Sequence, residues 1–191
     1  MSIKFKICLF ILISSSTAFS MIMEDKQKRS FHLYLNSAHL EEPSTDRVQR
    51  YGLELRYLNP TPQAFRMGSF VEKHMRLGLD LNLEHDYSKT SGAVNVLQDF
   101  YSLNGLVEAN YVYLFRFSAF AGPGILLSVT RLNVLDTKET RSQLSMLMFA
   151  GLAIDYAITA EWEVGWQLAW QYRFVDEKWD WRQGIGFSYN F

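Results

Sequence analysis

Beyond its first twenty residues this 191-residue chain has no cysteine, because its single one, Cys8, lies in the N-terminal apolar run. Neither a disulfide framework nor a thiolate metal site is open to the remainder. No later stretch carries 18 consecutive apolar residues, which excludes helical membrane spans. There is no surplus of positive charge either: 19 Lys and Arg stand against 20 Asp and Glu, so the concentrated basic face that nucleic acid requires is missing. Glycine-rich phosphate loops, Cys/His clusters and spaced acidic ligands are also absent, so no cofactor and no metal is expected.

The N-terminus carries a leader pattern. Lys4 and Lys6 precede the apolar residues 7–13, a polar stretch 14–17 follows, and Ala18 and Ser20 occupy the small-residue positions of a cleavage site. The run is far short of the ~20 residues of a membrane span, so residues 1–20 are read as a secretory signal peptide removed after Ser20. About 171 residues then remain, enough for one domain. Residues 21–29 form a short tail, and 30–191 the domain itself.

What fills that domain is alternation. From His74 to Glu84, His74, Arg76, Gly78, Asp80, Asn82 and Glu84 share one face, and Met75, Leu77, Leu79, Leu81 and Leu83 the other. Eleven residues at a ~3.3 Å rise and a tilt near 45° climb about 25 Å, the height of the apolar band of a membrane barrel. The same period predicts strands over residues 30–37, 48–58, 74–84, 100–111, 114–130, 143–156, 162–174 and 179–191. Pro123, in the fifth, is read as marking a bulge, since proline cannot donate to the sheet ladder. The fold class is therefore all-β: an eight-stranded antiparallel transmembrane β-barrel of up-and-down topology.

Alternation alone also fits a soluble barrel with an apolar cavity. Three observations favour lipid outside. The polar face carries charges of both signs, and it holds eight of the eleven glycines: Gly52, Gly78, Gly122, Gly124, Gly151, Gly165, Gly184 and Gly186. Such residues suit an interior just wide enough for side chains. Aromatics such as Tyr101 and Tyr111 recur near strand ends, as interfacial girdles would.

The inward phase contains the candidate functional groups. Arg50, Glu54, Arg56, His74, Arg76, Asp80, Glu84, Glu108, Arg116, Asp155, Glu163, Arg173 and Arg182 form a lumen charge network, either a buried ion-pair plug or an ion path. Leu106, Phe120, Leu126, Leu147 and Phe149 come from adjacent strands and are either lumen packing or an apolar pocket for a small hydrophobic ligand. Hydrolysis would need a nucleophile and a histidine oriented by a carboxylate. Of His32, His39, His74 and His85, only His85 has a loose constellation, with Asp86 and Ser102; no catalytic residue is assigned.

The chain closes on Ile185, Gly186, Phe187, Ser188, Tyr189, Asn190 and Phe191. Gly186, Tyr189 and terminal Phe191 resemble the C-terminal strand signature of outer-membrane β-barrel proteins, and the whole is similar to the small eight-stranded group of outer membrane protein A (transmembrane domain), outer membrane protein X and outer membrane protein W. The resemblance implies an outer-membrane protein of a Gram-negative bacterium with both termini periplasmic. Its implied partners are outer-membrane lipid and lipopolysaccharide, with the barrel-assembly machinery reading Gly186, Tyr189 and Phe191 during biogenesis; the chain is expected to be a monomer. Outer loops are then expected at residues 39–47, 86–99, 131–142 and 175–178, with tight periplasmic turns at 112–113 and 157–161. The 59–71 connection is long for its side. The leading functional expectation is a non-enzymatic structural or surface-interaction barrel with a filled lumen. A narrow channel or hydrophobic-ligand carrier is the alternative, and a lipid-modifying enzyme or protease the second.

Overall fold

The computed structural model describes residues 28–39, 49–60, 74–89, 94–112, 114–134, 137–175 and 177–191. The expected signal peptide, most of the 21–29 tail, most of the 39–47 loop and nearly all of the 59–71 connection lie outside them.

Eight strands follow in the predicted order: β1 Ser30–His39, β2 Gln49–Pro60, β3 Met75–Lys89, β4 Val94–Val112, β5 Arg116–Val134, β6 Thr137–Ala157, β7 Trp162–Arg173 and β8 Lys178–Asn190. Each pairs antiparallel with the next, and β8 closes on β1. The stagger can be read from the register. A circuit from His39 through Trp181, Trp170, Ala150, Ala121, Val107, Leu77 and Asn59 returns to β1 beside Arg29, ten residues from its start. With a ~3.3 Å rise and a ~4.8 Å strand spacing, eight strands at that stagger tilt by about 40° and enclose a backbone radius of roughly 8 Å. Such a barrel has room for side chains and little else.

The period-2 pattern sorts the side chains. Leu33, Leu79, Leu103, Ile125, Leu152, Trp166 and Phe187 point outward and are exposed, while alternate residues on the same strands are buried inside. Aromatic pairs gather toward the two margins of the apolar band. Trp162 and Tyr189 (centroids 4.9 Å apart) stand at the end where β1 begins and β8 finishes, and Tyr172 and Trp179 (also 4.9 Å) at the opposite, hairpin end. An apolar belt with aromatic margins is the surface that hydrocarbon between two interfaces selects.

Two expectations need correction. Residues 86–99 and 131–142 are not simply loops: β3 runs to Lys89, β4 starts at Val94, and β5 and β6 continue to Val134 and Thr137. Ladder hydrogen bonds sustain these extensions after the apolar alternation has ended. Pro123 makes no bulge. Pairing between β4 and β5 lapses between Asn104↔Gly124 and Val107↔Ala121, yet its register is the same on both sides. Pro123 removes a donor without inserting a residue, and Gly105, the residue facing it, brings no Cβ to that point.

Candidate functional site: the barrel interior

Ion pairs fill the interior in three tiers. Nearest the termini, Arg76 holds Glu108 at 2.5 Å and donates to Ser30 Oγ at 2.8 Å, while Arg116 pairs with Glu163 at 2.9 Å. At mid-height Glu54 is fully enclosed. Arg56 approaches it at 2.6 Å, Arg182 at 3.2 Å, and Asn36 and Gln167 donate to it at 2.9 and 2.8 Å. Arg56 also reaches Asp80 at 3.4 Å. Toward the hairpin end, Arg50 and Arg182 each meet Glu84 at 3.2 Å, and Arg173 meets Asp180 at 3.0 Å. Among the described residues six arginines thus share the lumen with eight carboxylates: Glu54, Asp80, Glu84, Asp86, Glu108, Asp155, Glu163 and Asp180. Buried charges persist only when paired and hydrogen-bonded, and most of these have several partners.

The interior is also divided laterally. Leu106, Phe120, Leu126, Leu147 and Phe149 come together, joined by Phe100, Leu58, Ala153 and Ala169 in one buried cluster on the β4–β6 side. The Phe120 and Phe149 rings are 5.9 Å apart, so the side chains pack on one another. Arginines seal the seam between the two halves: Arg50 lies over Phe100 and Arg56 over Phe120, each 3.9 Å from the ring centre. A guanidinium can satisfy carboxylates in its plane while its face covers an aromatic ring. Glycines make the room. The Phe120 ring lies over Gly151 and the Tyr34 ring over Gly186, where any Cβ would collide.

Of the predicted network, Arg50, Glu54, Arg56, Arg76, Asp80, Glu84, Glu108, Arg116, Asp155, Glu163 and Arg182 are buried inside. Arg173 sits toward the hairpin end beside Asp180. His74 is half-buried just before β3, with Nδ1 3.0 Å from the Asn110 carbonyl oxygen. Gly186 stands opposite Tyr34 on β1, Tyr189 stacks on Phe191 at 6.0 Å, and the Phe191 backbone exchanges hydrogen bonds with Arg29 at 2.9 and 3.2 Å.

A search for Asp, Glu, Lys and Arg alone overlooks the other polar groups of the interior. His32 lies between Ser30 Oγ at 2.8 Å and the Tyr34 hydroxyl at 3.3 Å, and that hydroxyl donates to Asp155 at 3.4 Å. Asn36, Asn104 and Gln167 cross-link the carboxylates. All share the inward phase of their strands, which is the signal that would have found them.

His85, Asp86 and Ser102 do not converge. His85 points outward, with Nδ1 2.7 Å from Asp99, and Arg131 meets the other oxygen of Asp99 at 3.0 Å. Asp86 and Ser102 are buried on the inner face. Because facing residues on β3 and β4 share a side of the sheet, the three-residue offset between His85, which faces Asp99, and Ser102, which faces Asn82, puts the histidine and the serine on opposite sides of the wall.

No family model matches the chain, and no curated protein is significantly similar to it in sequence. Solved structures do match. Ail, the attachment invasion locus protein of Yersinia pestis, superposes with a TM-score of 0.60 at 13% identity, covering 87% of this chain and 99% of that one. Neisserial surface protein A gives 0.57 at 11% identity, covering 86% and 96%. A major outer membrane protein from Thermus thermophilus gives 0.55 at 10%, covering 85% and 99%. With the closed eight-strand register and the apolar outer belt, these likenesses establish that the chain has the fold of the small eight-stranded outer-membrane β-barrels.

Proposed function

We propose that this protein is a non-enzymatic outer-membrane barrel whose plugged interior is a rigid support for the sheet that rises beyond its apolar belt. The observation that carries this reading is the side-chain filling of the lumen. A wall of roughly 8 Å radius encloses three tiers of ion pairs and a packed apolar cluster, an arrangement suited to rigidity rather than transport. The outward β3–β6 extension supplies a surface for encounters outside the membrane. The expected leader and the short turn between β6 and β7 support an orientation with the termini on the periplasmic side and the hairpins outside. The opposed directions of His85 and Ser102 support a role without hydrolysis.

Two measurements test the reading. Purified, heat-modifiable protein in planar bilayers is expected to give no steady single-channel conductance, and protease added to intact cells to cut only within residues 131–142 and the other outer connections. Regular conductance steps lowered by Arg56→Ala or Phe120→Ala would assign the lumen to transport instead. Cleavage at 157–161 in intact cells would invert the orientation.

A further inference from the structure

Among the described residues, β6 has a neighbour on one side only near its start. β5 pairs with it as far as Val134↔Thr137, whereas β7 pairs with it only from Leu147↔Arg173 onward. Residues 137–145 therefore turn one row of backbone N–H and C=O groups to the surroundings, with side chains exposed or half-exposed throughout. At the barrel tilt, Lys138 to Met146 climbs roughly 20 Å, which lifts this edge clear of the apolar belt. An open edge is a template for another strand, and its side chains decide which strand fits.

Those side chains are self-complementary. Glu139 and Arg141 flank Thr140; within one chain they pair at 2.8 Å while both stay exposed. We propose that this edge pairs antiparallel with the same edge of a second copy, about a two-fold axis between the two Thr140 residues. Each Glu139 then faces an Arg141, Lys138 faces Ser142, and Thr137 faces Gln143. Facing residues must share a side of the sheet, so the axis can move only by whole residues. One step either way sets Glu139 against Glu139 or Arg141 against Arg141, which is unfavourable.

The symmetry dictates the setting. A two-fold axis normal to the sheet turns the second barrel to point the opposite way, so the paired copies sit in two apposed membranes. Each copy remains a monomer in its own bilayer. The inference rests on the reading above, in which the hairpin end faces outward.

The test uses the mature chain, free of cysteine, carrying Thr140→Cys, Lys138→Cys or Ser142→Cys, each variant checked for heat-modifiable folding. In detergent under mild oxidation, Thr140→Cys is expected to give about tenfold more disulfide dimer than either other variant alone, because only its two copies come within bridging distance. An equal mixture of Lys138→Cys and Ser142→Cys should cross-link about half as well as Thr140→Cys, because only mixed dimers bring the two cysteines within bridging distance. Adding Glu139→Lys to Thr140→Cys should lower the yield, and adding Arg141→Glu to that variant should restore it. Equal dimer from Thr140→Cys and Lys138→Cys overturns the register. Two vesicle populations with differently tagged Thr140→Cys protein should yield mixed-tag dimer on oxidation. Dimer in detergent with no mixed-tag product would overturn pairing between two apposed membranes while leaving the edge register standing. These arms read edge pairing separately from cellular localisation.

Discussion

The guanidinium of Arg56 lies 3.9 Å from the centre of the Phe120 ring while its nitrogens hold Glu54 and Asp80. One side chain thus joins the charged and apolar halves of the interior. Arg56→Ala would strip both carboxylates of a partner and uncover a ring face. Removing one member of a buried ion pair costs about 3–5 kcal/mol, chiefly through the charge left behind. Urea unfolding of the heat-modifiable form in detergent should show a loss of that size. A loss under about 1 kcal/mol would mean that lumen water replaces the guanidinium, and the interior would then be hydrated rather than packed.

Gly184 gives a second test of packing. A Cβ there would collide with the Asn36 amide oxygen, while the nearest backbone atom keeps 3.2 Å. Asn36 donates to Glu54 at 2.9 Å and accepts from Gln167 at 3.2 Å, so it cannot swing aside freely. Overpacking of this kind costs about 1–3 kcal/mol, and Gly184→Ala should lose stability accordingly. Combined with Asn36→Ala, it should cost measurably less than the sum of the two single changes. An additive double-mutant cycle would show that the two positions do not compete for space.

How far such relationships could be read in advance depends on their range. The alternation around Leu79 to Leu83 fixed strands and inward phase, because one face meets the charged interior and the other the apolar exterior. Where β6 rises clear of the belt, residues 137–143 are polar on both faces, so period 2 leaves no hydrophobic trace and these residues read as a loop. Tyr34 and Asp155, or Glu54 and Gln167, meet across the lumen at sequence separations above one hundred. Those meetings depend on the ten-residue stagger of the closed barrel, which no local pattern records.

Outside the barrel the same chemistry should matter far less. Asp99 sits between His85 at 2.7 Å and Arg131 at 3.0 Å, both partners being more than half exposed. Exposed ion pairs contribute about 0–1 kcal/mol and are screened by salt. Asp99→Asn should therefore shift the urea midpoint little, and less still in about 1 M salt. A cost comparable with Arg56→Ala would show that this outward cluster is a structural clasp between β3, β4 and β5.

Phe191 tests the seam. Its ring is exposed and stacks on Tyr189, while its backbone exchanges two hydrogen bonds with Arg29 just before β1. Phe191→Ala keeps those backbone bonds, so the closed barrel should lose little stability once formed. Recognition by the assembly machinery would instead depend on the aromatic side chain that the substitution removes. The expected outcome is a drop in folded protein in the outer-membrane fraction, with the urea midpoint of the surviving protein within about 1 kcal/mol of the parent. Normal membrane levels together with a lowered midpoint would reverse the assignment: the ring would be holding the β1–β8 seam together rather than marking the strand for insertion.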